Sequence, residues 1–278
     1  MKREFTKMHG LGNDFVLIDA VEEPFDPSAE QVRALADRRS GVGCDQLLVV
    51  DPSPRSGIDY GYRIYNADGS PVGQCGNGAR CLALYLAESG RFDGEALRIA
   101  TATAELRLWL QSDEQVRVDM GVPVFEPAQV PFDAAERADR YTLTLADQAA
   151  LEIGVLSLGN PHAVTVVPDA ESAAVTAIGE ALQRHPAFPE RVNLGFLQVT
   201  SRSTARLRVY ERGAGETMAC GSGACAAAVV GQLWGLLDTR SRLQLNGGAL
   251  DIEWAGDGKP VYMTGPARTV YRGEIEIE

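Results

Sequence analysis

The stretch "RIYNADGSPVGQCGNGA", residues 63–79, decides the reading of the whole chain. It passes from a short alternating strand, through a glycine-rich turn, to a cysteine set before a helix. Residues 208–224 read "RVYERGAGETMACGSGA". Both stretches open with Arg, a β-branched residue and Tyr, and both reach C-G-x-G-A at the same distance. Asn66 and Glu211 each precede their cysteine by nine positions. Upstream, "LGNDFVLID" at Leu11 echoes "LGNPHAVTV" at Leu158, and Gln46 before "LLVV" falls opposite Asn193 before "LGFLQV". Offsets of 147, 147 and 145 residues in one order mark an internal duplication.

Duplication bounds the architecture. Strand patterns dominate: "YRIYN", "LRIATA", "ELRLWL", "YTLTL", "LRVYE" and "LDIEW" are short, alternating and rich in β-branched or aromatic residues. Helices are expected at 28–38 with Ser28 as N-cap, at 77–89 before Gly90, at 171–184 opened by Glu171 or Ser172, and at 222–234. The last of these, "SGACAAAVVGQLW", is apolar on nearly every side, so it should be buried all round. The segment 121–136, with three prolines and no clear period, is the natural boundary. The fold class expected is α/β of the α+β kind, in two pseudo-symmetric halves, 1–121 and 122–267.

Composition narrows the partners. The chain has 278 residues, 45% hydrophobic, with a formal net charge of −12 and no Lys/Arg cluster, which argues against nucleic acid and for a small-molecule ligand. No apolar run is long enough to span a bilayer, and the N-terminal residues lack a signal-peptide pattern, so a cytoplasmic protein with no membrane partner is expected. Five cysteines, no C-x-x-C pair and three histidines make a disulfide scaffold or a zinc site a poor fit. No metal and no other cofactor is expected.

Cys75 and Cys220 carry the chemistry. Each precedes the first turn of a helix, where unpaired N–H groups and the helix dipole should lower a thiol pKa toward neutrality. The amides of Gly76 and Asn77, and of Gly221 and Ser222, suit a carboxylate. If the two turns face one cleft, one sulfur can take a proton from a carbon and the other can return one to the opposite face. The copies differ in polar lining: Asn66 against Glu211, Asp14 against Pro161, Asn77 against Ser222. An asymmetric ligand requires such a difference. Cys44, Cys81 and Cys225 are expected in the core.

On "FTKMHGLGNDFVLID", "GVGCDQLLVV", "YRIYNADGSPVGQCGNGARC", "LGNPHAV", "RVNLGF", "YERGAGETMACGSGACA" and "YMTGPARTVYRGEI", the chain resembles the diaminopimelate epimerase family over essentially its whole length. The resemblance implies a cofactor-independent enzyme that interconverts LL- and meso-2,6-diaminopimelate. It implies Cys75 and Cys220 as the acid/base pair, with His162 in support. Gly76, Asn77, Gly221 and Ser222 would hold the reacting carboxylate, and Glu211 the reacting ammonium. Arg212 would hold the distal carboxylate, and Asn13, Gln46, Asn66, Asn160 and Asn193 would complete the substrate contacts. It also implies that a strand within 268–278 returns to the first half, and that the protein is a homodimer.

Overall fold

The computed structural model describes residues 2–145 and 150–277. The chain forms two compact units, Met1–Asp119 with Thr264–Glu278, and Met120–Met263. The first contains β1 (Lys2–Gly10), β2 (Asn13–Asp19), α1 (Ala29–Ala36), β3 (Gln46–Pro52), β4 (Tyr60–Asn66), β5 (Pro71–Val72), α2 (Gly76–Glu88), β6 (Leu97–Ala100), β7 (Glu105–Leu110) and β8 (Gln115–Asp119). The second contains β9 (Tyr141–Thr144), β10 (Ala150–Ser157), β11 (Pro161–Val166), α3 (Val175–Gln183), β12 (Asn193–Ser201), β13 (Thr204–Glu211), β14 (Gly215–Thr217), α4 (Gly221–Leu233), β15 (Arg240–Leu245) and β16 (Gly248–Trp254). The strands β17 (Val261–Pro266) and β18 (Arg268–Glu276) close the chain.

The two units repeat one pattern of pairings. In the first, β1 and β2 form a hairpin, α1 crosses to β3 parallel to β2, β4 pairs back antiparallel, and α2 crosses to β6 parallel to β4. In the second, the same roles fall to β10, β11, α3, β12, β13, α4 and β15. Strand β18 pairs antiparallel with β1, as β9 does with β10. The whole is α+β, with mostly antiparallel sheet.

Each long helix is enclosed by its own strands. Helix α2 packs against β1, β2, β3, β7, β8 and β18. It buries Ala79, Cys81, Leu82, Ala83 and Leu86, and Gly90 follows at φ 70° as the left-handed stop. Helix α4 packs against β10, β11, β12, β13, β15 and β16, and its Ala and Val side chains are buried on every face. Helix α1 has the expected N-cap Ser28, and Gln31 completes a capping box with it.

Helix α3 starts later than its sequence suggests. Asp169 forms a turn in which its carboxylate accepts from the backbone of Glu171 and Ser172 and from the Ser172 hydroxyl at 2.7 Å. Ser172 is thereby spent outside the helix, which opens at Val175 without a side-chain cap. Among the described residues no helix is long and apolar enough to cross a membrane.

Candidate active site

In the first unit, polar side chains gather where β2 and β3 begin and β4 ends. The turn joining β1 to β2 is Leu11–Gly12, with φ 58° and 84°. Two positive φ values make the turn that matches strand twist, and set Asn13 opposite Gly10 as the first residue of β2. Gln46 opens β3 between Phe15 and Asn66, and its Nε2 donates to Asn66 Oδ1 at 3.0 Å.

Cys75 is the N-cap of α2, extended at φ −144° and ψ 110°, and its Sγ accepts the Gly78 N–H at 3.4 Å. Asn13 Oδ1 lies 4.0 Å from that sulfur and accepts Asn77 Nδ2 at 3.3 Å. At the far ends, Asn13 Nδ2 donates to Asp45 at 3.0 Å, and Asn77 Oδ1 accepts from the fully buried Arg80 at 3.0 Å. A carboxylate only accepts and a guanidinium only donates, so both amide orientations follow. Cys75 therefore faces a carbonyl oxygen.

Beneath Asn13, Lys7 and Arg38 pair with Asp14, and Arg38 also with Asp45. Lys7 also donates to the Gly43 carbonyl. Burial pushes the Asp14 carboxyl up, but the hydrogen bonds from Arg38 and Lys7 outweigh it and hold the group well below the usual carboxylate range. Asp45, Arg80 and this ionic cluster escape sequence reading. Asp45 stands beside Gln46 in "CDQ", but its partner Asn13 lies 32 residues away.

Gly78 explains itself through Tyr62. A methyl group at Gly78 would strike Tyr62 Oη and lie 3.2 Å from Leu48 Cδ2. That hydroxyl is buried and has no hydrogen-bond partner among the described residues. Gly78→Ala should therefore destabilise by about 2 kcal/mol through overpacking. Tyr62→Phe should be neutral or slightly stabilising, because it removes an unsatisfied polar group. Combining them should recover at least about 1 kcal/mol, read as coupling in urea unfolding. Simple additivity would contradict this packing.

In the second unit, Cys220 caps α4 at φ −117° and ψ 109°, buried, with Ser222 Oγ 3.7 Å from its sulfur. Gly221 and Ser222 are the first two residues of α4, as Gly76 and Asn77 are of α2. Glu211 ends β13, accepts Thr217 Oγ1 at 2.5 Å and hydrogen-bonds the Cys220 thiol. Thr217 is not among the residues expected from sequence, although it stands in "GET" of the repeated stretch. The backbone N–H of Arg212 donates to Asn193 Oδ1 at 2.9 Å, and its guanidinium to the Glu190 carbonyl at 3.1 Å. Asn193 is buried and also donates to the Pro161 carbonyl, so its amide ties β11 to the end of β13.

One expectation is overturned. The Cys220 thiol is not lowered toward neutrality but raised well above its ordinary value. Burial is the main cause, followed by the Glu211 carboxylate and its hydrogen bond, while the Gly223 N–H and Ser222 only partly offset them. Cys220 is a proton-holding thiol in this state. Cys44, Cys81 and Cys225 are core: burial pushes Cys81 up to about 12 and Cys44 up to about 11, and Cys225 is fully enclosed.

His162 is buried, and its Nε2–H donates to Asn160 Oδ1 at 2.9 Å. Burial, then the nearby Arg212 guanidinium, lower its pKa from 6.5 to about 3. The folded state thus binds the neutral ring. The associated stability is present above the unfolded pKa of 6.5 and is lost as pH falls from there toward 3. Wild type should lose about 2 kcal/mol more than His162→Gln between about pH 6 and pH 4 in urea titrations. Parallel losses in the two proteins would show that His162 is not the group.

The family model for diaminopimelate epimerase matches residues 5–126 and 154–270. The chain is 53% identical to the diaminopimelate epimerase of Alkalilimnicola ehrlichii over 280 residues, covering all of both chains. It is 51% identical to that of Nitrosomonas eutropha over 282 residues, again covering all of both. Among solved structures it is similar to a hydroxyproline epimerase from Agrobacterium vitis, with TM-score 0.71, 14% identity, and coverage of 99% of this chain and 92% of that one. A Bacillus anthracis phenazine biosynthesis protein of the PhzF family gives TM-score 0.71 at 15% identity and covers all of both chains. These two likenesses show a shared fold.

Proposed function

Because the chain belongs to the diaminopimelate epimerase family, an isomerase family of lysine biosynthesis, we propose that it interconverts LL- and meso-2,6-diaminopimelate through two thiols, Cys75 and Cys220. The observation that carries the thiol reading is their matched position. Each is the N-cap of the central helix of its unit, reached through the same order of strands and crossovers.

In the mechanism proposed, the reacting-end carboxylate sits on the first-turn amides of α2 and α4, those of Gly76, Asn77, Gly221 and Ser222. Preorganised N–H dipoles there stabilise the charge that develops when the α-hydrogen leaves. Glu211 accepts from the reacting ammonium, and Arg212 takes the distal carboxylate as a bidentate fork. Asn13, Gln46, Asn66, Asn160 and Asn193 line or brace the rest, and His162 supports as a neutral ring. In each productive state one sulfur is the thiolate base and the other the thiol acid, and Cys220 is the acid in the direction that uses Cys75 as the base. In the reverse direction the roles exchange, and the two titrations are coupled. Neither metal nor pyridoxal phosphate takes part in this scheme.

The reaction class is tested by incubating the reduced protein with LL-diaminopimelate and no added cofactor. Appearance of the meso isomer is expected; none, or a requirement for pyridoxal phosphate, would reject the reading. We further propose a cytoplasmic homodimer. Val270 and Tyr271 stand exposed on β18 and offer apolar surface to a second copy. Sedimentation equilibrium should give twice the chain mass of 29.8 kDa.

A further inference from the structure

Among the amides of the first unit, one chain of hydrogen bonds ends in an unsatisfied acceptor. It starts at Asp68, in the turn after β4. Asp68 Oδ1 accepts the Ser70 backbone N–H at 2.8 Å and the Ser70 hydroxyl at 2.6 Å. A carboxylate has nothing to donate, so the single hydroxyl proton of Ser70 is spent there. Ser70 Oγ is left to accept, and it takes Asn66 Nδ2 at 3.1 Å. Asn66 must then turn its oxygen toward Gln46, whose Nε2 donates to it at 3.0 Å. Gln46 is left presenting Oε1, which is buried and has no partner among the described residues. Each link determines the next, and the last atom lies at the start of β3, on the sheet end that also carries Asn13 and Cys75.

We propose that Asp68 and Ser70 are positioning residues that hold the Gln46 carbonyl toward the substrate, where it accepts from the ammonium of the non-reacting end. The inference rests on the epimerase reading above. Glu211 bonds the Cys220 thiol and so belongs to the reacting end. The second ammonium therefore needs an acceptor of its own. The opposite amide orientation would set an NH2 group against that cation. Orientation of this one amide thus selects ligands with two ammonium groups over those with one.

The test measures epimerisation of LL-diaminopimelate by reduced wild type, Ser70→Ala, Ser70→Thr and Asp68→Asn. L-2-aminopimelate, the same chain without the second ammonium, is titrated as a competitive inhibitor. Ser70→Ala should raise KM about tenfold and leave kcat within about twofold. Asp68→Asn, on an exposed turn, should raise KM about threefold. Ser70→Thr keeps the hydroxyl and should keep the wild-type KM. The inhibition constant of L-2-aminopimelate should be the same in all four. An unchanged KM in active Ser70→Ala and Asp68→Asn overturns the inference. So does a parallel rise of KM and inhibition constant, which would mean general disturbance of the site. Absence of turnover in wild type would instead reject the epimerase reading itself.

Discussion

Cys75→Ser and Cys220→Ser should each lower kcat for LL-to-meso conversion by at least about a thousandfold, with circular dichroism and unfolding midpoints close to wild type. Positioned acid/base groups contribute about 10² to 10⁴ in rate, and a hydroxyl is a far weaker acid than a thiol. The fold should tolerate both changes. Serine is a good N-cap, so Cys75→Ser keeps the acceptor for the Gly78 N–H. Serine at 220 can likewise accept from the Gly223 N–H that acts on the Cys220 sulfur, and the neighbouring Ser222 shows that a hydroxyl fits there. Retention of a tenth or more of the activity in either variant would break the two-thiol scheme. Loss in one variant alone would point to a single base.

Glu211→Gln should lower kcat about a hundredfold and also change the pH profile. The carboxylate has two tasks in the proposal: it receives the reacting ammonium, and it helps keep the Cys220 proton in place. Burial is the larger cause of the raised thiol pKa, and Glu211 is the next. Glutamine removes the negative charge but can still accept from Thr217, so local structure should hold. The Cys220 pKa should fall yet stay above the ordinary thiol value, because burial remains. Alkylation of Cys220 near pH 9 should accordingly run faster in Glu211→Gln than in wild type. Unchanged alkylation would show that Glu211 does not govern this thiol.

Much of the fold is legible because it is written twice. One C-G-x-G-A turn is ambiguous; two of them, each nine residues after a polar position closing an Arg-x-Tyr strand, define a repeat. Local chemistry is legible too: Ser28 announces an N-cap, and Gly90 a helix stop. Helix α3 opens several residues later than its pattern suggests because Ser172 has two uses. It can cap a helix or close a turn on Asp169, and the choice depends on a carboxylate outside the periodic segment. The residue types that gather in each unit are legible in the sequence, but not their protonation or orientation. A helix N-terminus lowers a thiol pKa only when burial and a neighbouring carboxylate do not oppose it, and at Cys220 both do. Likewise, which end of an amide faces the ligand depends on the charges that anchor it. Asp45, Arg80 and Asp68 are ordinary surface-type residues in the sequence, and only the folded chain brings the first two to Asn13 and Asn77.

The central claim is that two different thiols serve the two faces of one carbon. It is tested most directly in deuterated water, by following reduced wild-type protein and LL-diaminopimelate through the first few per cent of conversion. Thiol protons exchange with solvent, so a two-thiol enzyme should place deuterium at the reacting carbon of essentially every meso molecule. The LL substrate recovered at that point should still carry protium. Meso product that retains the substrate hydrogen, or recovered LL substrate already labelled, would mean that one group removes and returns the proton, and would contradict the account.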